Sequence, residues 1–121
     1  MNDVLRVFFD ELLALGASFD DRIRLGPMER DASGDMPLHY AAYQGRVDIV
    51  LALIAAGAPI NAAGETGYTP LHYAIERGRS EVVLALMASG ADPSLCDATG
   101  RSARVYAEDL GNLAVIVAVG R

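Results

Sequence analysis

Short apolar stretches alternate along the chain with polar segments that contain glycine or proline. From Val47 to Ile54 the apolar residues fit a period of 3.6, which predicts an amphipathic helix. A shorter apolar stretch begins at Pro37, and proline suits the first turn of a helix because no N–H donor is needed there. Gly45 lies between the two stretches and favours the left-handed conformation that ends many helices. The pattern predicts a turn, a short helix, a short loop and a second helix.

The same pattern recurs every 33 residues. Residues 36–41, Met-Pro-Leu-His-Tyr-Ala, recur as residues 69–74, Thr-Pro-Leu-His-Tyr-Ala, and the apolar residues 49–54 recur as 82–87. Glycines keep the same interval at Gly34, Gly67 and Gly100, and again at Gly45, Gly78 and Gly111. One helix pair cannot bury its own apolar face, so neighbouring copies are expected to stack.

A 33-residue period with a Thr-Pro-Leu-His-x-Ala signature resembles the ankyrin repeat family. The resemblance implies an all-α fold, a solenoid of stacked helix-turn-helix units with β-turn or hairpin fingers, in one domain over residues 1–121. Residues 31–63 and 64–96 are full units, and residues 97–121 are a shortened C-terminal capping unit that lacks the signature. Met36 departs from the family pattern, because methionine has no side-chain oxygen with which to cap a helix, whereas Thr69 does.

Both ends of the chain depart from the regular unit. Residues 1–30 are expected to hold a degenerate N-terminal capping helix and an extended loop, eight residues longer than the equivalent loop of the next unit. Residues 18–30 of this insertion form either an extended finger or a plain surface loop. At the other end, residues 113–119 are apolar all round. Three explanations are open. A partner or a second copy of the chain could cover this segment, the chain could lack later repeats, or small apolar side chains could be tolerated in water.

Composition narrows the classes of function. The longest apolar runs are far shorter than the roughly 18 residues that a membrane-spanning helix needs. The net charge of −6, from 16 acidic and 10 basic residues, argues against a nucleic-acid binder, which needs a basic stripe. Cys96 is the single cysteine and cannot form an internal disulfide, so a reducing cytoplasm is the simplest location.

The residues that could carry chemistry are few and scattered. His39 and His72 occupy the same position of two units, with no third ligand or nucleophile placed beside them. The resemblance implies a structural role for both, in which the ring nitrogens tie the start of a helix to adjacent turn backbone. Cys96 is interpreted as a small packing residue. No metal, no cofactor and no enzymatic activity are expected.

A function must then come from a surface. The resemblance implies that the turn tips and the exposed face of each first helix line a concave groove that binds other proteins. Tyr43 and Tyr68 are the strongest candidates, because tyrosine is enriched in binding hot spots and neither position has a scaffold role, whereas Tyr40 and Tyr73 replace apolar core residues. The complete partner-binding set is Asp35, Tyr43, Gln44, Glu65, Thr66, Tyr68, Glu76, Arg77, Arg101 and Asp109.

Acidic residues outnumber basic ones in this set, which favours a basic protein partner. We therefore expect a cytoplasmic, non-enzymatic protein-binding module, either a monomer or a weak homodimer, with no nucleic-acid or membrane partner. It would mask one partner, as an inhibitor or an immunity-type antidote does. The alternative is an adaptor, or an oligomer subunit whose apolar C-terminal helix completes a larger assembly.

Overall fold

A computed structural model of the chain describes residues 3–14, 30, 34–64 and 66–120. These residues form seven helices and no strand, which confirms the predicted all-α fold. The predicted finger lies outside the described residues except for Arg30, and Glu65 lies outside them as well. The helices are α1 (Asp3–Ala14), α2 (Pro37–Gln44), α3 (Val47–Ala55), α4 (Pro70–Glu76), α5 (Ser80–Ala88), α6 (Ala103–Leu110) and α7 (Leu113–Val119).

The helices lie in two rows. The first helices of the units, α2, α4 and α6, pack side by side, and the second helices, α3, α5 and α7, form the other row. Each first helix also packs against the second helix of its own pair. Helix α1 packs against α3 and so extends the second row at its N-terminal end. None of these helices is long and apolar enough to cross a membrane.

The core runs between the two rows because each helix buries the same repeat positions. Ala41, Ala74 and Ala107 are fully buried, and their small side chains leave room for the helices to approach one another. The second helices bury a stripe of apolar side chains, which begins in α3 and recurs in α5. Apolar side chains of α1 cover the N-terminal end of this stripe. These buried residues are Ile49, Val50 and Leu53, then Val82, Val83 and Leu86, and in α1 Leu5, Phe8 and Phe9.

The helix starts depend on the residue before each proline. The Thr69 hydroxyl accepts a hydrogen bond from the backbone N–H of His72 over 3.3 Å, so the predicted cap is confirmed. Met36 makes no side-chain cap, and its carbonyl oxygen accepts from the His39 N–H over 2.9 Å instead. Gly45 ends α2 with a φ of 76°, the left-handed conformation predicted for it.

The two histidines connect neighbouring units. His39 Nδ1 accepts from the Met36 N–H over 2.9 Å, which leaves the proton on Nε2, within 2.8 Å of the Ala62 carbonyl and 3.0 Å of the Tyr68 carbonyl. His72 Nε2 lies 3.1 Å from the Arg101 carbonyl in the same way. Each histidine therefore holds the turn of the following unit against the start of its own helix, and these turns border the groove.

Helix α7 is apolar on both faces, as the sequence indicated. Val115, Ala118 and Val119 are buried, whereas Leu113 and Val117 are 75% and 76% exposed. Val117 occupies the repeat position of Leu84 in α5, which is also exposed. The exposed face of α7 thus continues a row that is already in water one unit earlier.

Candidate functional site

Four tyrosines line the side of the first helices across three units. Tyr43 of α2 and Tyr73 of α4 have ring centroids 6.0 Å apart, and Tyr73 lies 5.1 Å from Tyr68. Tyr68 in turn lies 6.0 Å from Tyr106 of α6. All three pairs meet edge to face, the arrangement that aromatic quadrupoles favour. We call Tyr43, Tyr73, Tyr68 and Tyr106 the tyrosine row.

The hydroxyl groups of the row contact charged side chains. Tyr73 donates to Asp35 Oδ2 over 2.8 Å, and Tyr106 donates to Glu76 Oε1 over 3.4 Å. Burial, reinforced by the Asp35 carboxylate, raises the pKa of Tyr73 above its ordinary value. Burial likewise raises the pKa of Tyr106. Both tyrosines are therefore neutral donors at physiological pH.

Two arginines lie over the rings of the row. The Arg77 guanidinium carbon is 4.9 Å from the Tyr43 ring centroid, and that of Arg101 is 3.7 Å from the Tyr106 centroid. Arg101 also donates from Nη2 to the Tyr68 hydroxyl over 3.3 Å. These are cation–π contacts, which strengthen as water is excluded from the rings.

Asp97 organises the turn that carries Arg101. Its Oδ1 atom accepts from the Thr99 N–H over 2.9 Å, from the Thr99 hydroxyl over 2.6 Å and from the Arg101 N–H over 3.0 Å. Burial opposes ionisation, but these hydrogen bonds outweigh it and lower the pKa of Asp97 to about 2. Asp97 was not among the residues predicted from the sequence, although aspartate two residues before threonine in a turn is a known signal for such bonds.

The row borders two adjacent cavities. The first, of about 280 Å³, is lined by Asp35, His39, Tyr40, Tyr43, Gln44 and Tyr73. The second, of about 480 Å³, is lined by Thr66, Tyr68, Tyr73, Glu76, Asp97, Ala98, Thr99 and Arg101. Tyr73 forms a wall of both, so the cavities are two parts of one groove along the first helices.

Most of the predicted partner-binding residues meet in this groove. Asp35, Tyr43 and Gln44 line the first cavity, and Thr66, Tyr68, Glu76 and Arg101 line the second. Arg77 reaches the groove through its contact with Tyr43. Asp109 is exposed on α6 and lines neither cavity, and Glu65 lies outside the described residues.

The expected roles of three residues need correction. Tyr68 does have a scaffold role, because it is half-buried and stacks on His72 with centroids 5.3 Å apart. Tyr73 does not replace an apolar core residue, since its half-buried ring and its hydroxyl face the groove. Cys96 is exposed and so does not pack in the interior. Its position in the turn between two units, rather than inside a helix, leaves the thiol in water.

The described residues contain no group of three or more His, Cys, Asp or Glu side chains that could hold a metal ion. Burial lowers the pKa of His39 and that of His72, which keeps both rings neutral at physiological pH. A neutral ring can accept through Nδ1 while it donates through Nε2, as the hydrogen bonds to the turns require. The histidine geometry is accounted for by these structural bonds.

The comparison with protein families agrees with the geometry. A family model for ankyrin repeats, in three copies, matches residues 8–97, from α1 to the turn at Asp97. Proteins of this family are generally protein–protein interaction modules. No curated protein matches the chain significantly. Because the family model covers most of the sequence and the stacked helix pairs follow its period, this chain belongs to the ankyrin repeat family.

Proposed function

We propose that the chain is a non-enzymatic module that binds one protein partner through the groove of the tyrosine row. The row itself carries this proposal, since Tyr43, Tyr68 and Tyr73 line the groove, and the buried Tyr106 packs against Tyr68. Tyrosine gives much contact area for little loss of side-chain entropy, which is why it is common at binding hot spots. The general role of ankyrin repeats in protein binding supports the same reading.

The partner is basic in this proposal. Asp35 and Glu76 lie beside the row, and Asp109 adds an exposed carboxylate on α6. The two arginines of the groove are already engaged over tyrosine rings, and the chain carries a net charge of −6. Complementary charge steers encounter and disfavours acidic competitors.

Masking of a single partner is favoured over tethering of two. A standard interface covers roughly 800 Å² on each protein, about an eighth of the 6257 Å² that this chain exposes. One such interface would occupy most of a groove that is only three units long. We therefore propose an inhibitor-type or antidote-type role, in the cytoplasm, where the exposed thiol of Cys96 stays reduced.

Affinity capture from the native source, followed by titration of the captured protein, tests this function. Tyr43→Ala should weaken binding about 5- to 30-fold, because an exposed hot-spot ring is worth about 1–2 kcal/mol. Leu84→Ala is the matched control, since Leu84 is also exposed, 55% against 42% for Tyr43, but lies on the other row of helices. Unchanged affinity of Tyr43→Ala together with weakened binding of Leu84→Ala would place the interface on the other side of the molecule.

The exposed face of α7 supports a second candidate function, as a subunit of a larger assembly. Leu113 and Val117 are three-quarters exposed, and Leu110 at the end of α6 is 47% exposed. Light scattering over a concentration series distinguishes the two functions. An assembly subunit would grow in mass with concentration, and a Leu113→Ser, Val117→Ser double variant would abolish that growth. A constant monomer mass would leave the groove as the functional surface.

A further inference from the structure

The first cavity of the groove has the shape of a corner. The rings of Tyr43 and Tyr73 form two of its walls and meet at 78°, with centroids 6.0 Å apart. Asp35 lies at the same corner, because its Oδ2 atom accepts the Tyr73 hydroxyl hydrogen over 2.8 Å. Gln44 adds a polar amide to the lining. We call this cavity the Asp35 pocket.

The size of the Asp35 pocket suits one side chain. Its volume of about 280 Å³ is below the roughly 300–1,000 Å³ of pockets that hold a whole drug-sized ligand. Its lining combines aromatic faces with a single carboxylate. Ring faces attract cations through their quadrupole, and a carboxylate adds a directed acceptor, so this lining selects a positively charged group.

All ten basic residues of the chain are arginine, so its own contacts show that the rings accept a guanidinium but do not compare it with an ammonium. Arg101 lies 3.7 Å over Tyr106 and Arg77 lies 4.9 Å over Tyr43, so two rings of the row are already paired with guanidinium groups of the chain. A guanidinium is planar and more weakly hydrated than an ammonium, so it loses less hydration on entering an aromatic corner. Asp35 Oδ1 is buried, so the carboxylate attracts the cation by its charge and through Oδ2, the atom that also accepts from Tyr73.

We propose that the Asp35 pocket receives an arginine side chain of the protein partner, with the guanidinium in the corner formed by the Tyr43 and Tyr73 rings and close to the Asp35 carboxylate. This inference rests on the proposed function and makes it specific, since it names the residue type on the partner and the place where it binds. His39 adds no opposing charge, because its ring is neutral and bound to backbone groups on both nitrogens.

Two-dimensional NMR of the full chain with N-acetyl-arginine amide as the probe tests this pocket. At millimolar probe, the amide signals of Asp35, Tyr43 and Tyr73 should shift and saturate together. N-acetyl-citrulline amide has the same shape without the charge, and should bind at least about tenfold more weakly, as should the corresponding lysine amide. Equal shifts with citrulline would overturn the proposal, and so would equal binding of lysine or the absence of saturable shifts with arginine.

Matched variants show which carboxylate contributes to binding of the arginine probe. Asp35→Asn should weaken binding of the arginine probe about tenfold, whereas Glu81→Gln, at an exposed carboxylate in the other row of helices, should leave that binding unchanged. Unchanged binding by Asp35→Asn would overturn the proposal, and the comparison of probes on the wild-type chain stands even if that variant folds poorly.

The same variants separate this inference from the proposed function. If the captured partner needs Tyr43 but binds Asp35→Asn as tightly as the wild type, the groove is the interface and the arginine pocket is wrong. If neither change alters the affinity for the partner, the proposed function itself is wrong. If both changes weaken binding of the partner and also binding of the arginine probe, both proposals are supported.

Discussion

The Tyr73 hydroxyl donates a 2.8 Å hydrogen bond to Asp35, a residue 38 positions earlier in the chain. The bond joins the first helix of one unit to the turn that precedes the first helix of the unit before it. The groove therefore does not belong to any single unit, because its shape depends on how two neighbours stack.

Removing this hydroxyl should weaken the contact between the two units, while the aromatic ring stays in the groove. Tyr73→Phe keeps the ring and its edge-to-face contacts, but leaves the Asp35 carboxylate without one donor. We expect a loss of about 1 kcal/mol in the free energy of unfolding, measured by urea denaturation. Tyr43→Phe is the control, since Tyr43 is 42% exposed and its hydroxyl is in reach of water. Equal losses from the two changes would contradict a specific role of the Tyr73–Asp35 bond.

The scaffold could be predicted from the sequence because it depends on local signals that repeat. Proline in the first turn, Thr69 as a cap and glycine at Gly45 each act within a few residues, and the 33-residue period then requires the copies to stack. The structure shows the expected helix pairs and the expected cap. These features need no knowledge of which side chains meet between units.

The tyrosine row could not be predicted in the same way. Tyr106 lies in the shortened unit that has lost the signature, and its approach to Tyr68 depends on side-chain rotamers and on the distance between stacked helices. Tyr68 looked like a free binding residue because its position in the turn has no helical role. Only the three-dimensional packing, within its own unit and against the next one, shows that it lies between His72, Tyr73 and Tyr106.

Tyr68 should therefore matter for stability as well as for binding. Tyr68→Ala removes a half-buried ring with three aromatic neighbours, and we expect it to cost about 2 kcal/mol in the free energy of unfolding. Tyr43→Ala should cost less in the free energy of unfolding, since Tyr43 is 42% exposed whereas Tyr68 is half-buried. Urea denaturation of both variants measures the difference. Equal stabilities would mean that the Tyr68 contacts carry little packing energy.

Asp97 should stabilise the fold only while it is ionised. Its pKa falls from an ordinary 3.8 to about 2 in the folded chain, so its contribution is complete above pH 3.8 and is lost as the pH falls through 2. Asp97→Asn should lower the free energy of unfolding by about 1–2 kcal/mol near pH 7. The difference from the wild type should shrink at about pH 3, when urea curves are compared. A difference independent of pH would contradict the role of the charge.

The two histidines should make stability fall at mildly acidic pH. Burial lowers the pKa of His39 and of His72, so the unfolded chain binds protons before the folded chain does. Stability is then highest above the unfolded pKa of about 6.5 and decreases as the pH falls toward the folded values. Urea curves at about pH 7.5 and about pH 5.5 measure this slope. His72→Asn should be less stable at both values but less sensitive to pH, and an unchanged slope would contradict the assignment.

Two leucines of the same unit test the helix stacking directly. Leu71 in α4 is 1% exposed and Leu84 in α5 is 55% exposed, so the same change removes core packing at one position and surface area at the other. Leu71→Ala should cost about 2–5 kcal/mol in the free energy of unfolding, through lost burial and the cavity left behind. Leu84→Ala should stay within about 0.5 kcal/mol of the wild type. Urea denaturation measures both, and a large loss at Leu84 would mean that the second row of helices is covered in solution, as assembly through that face requires.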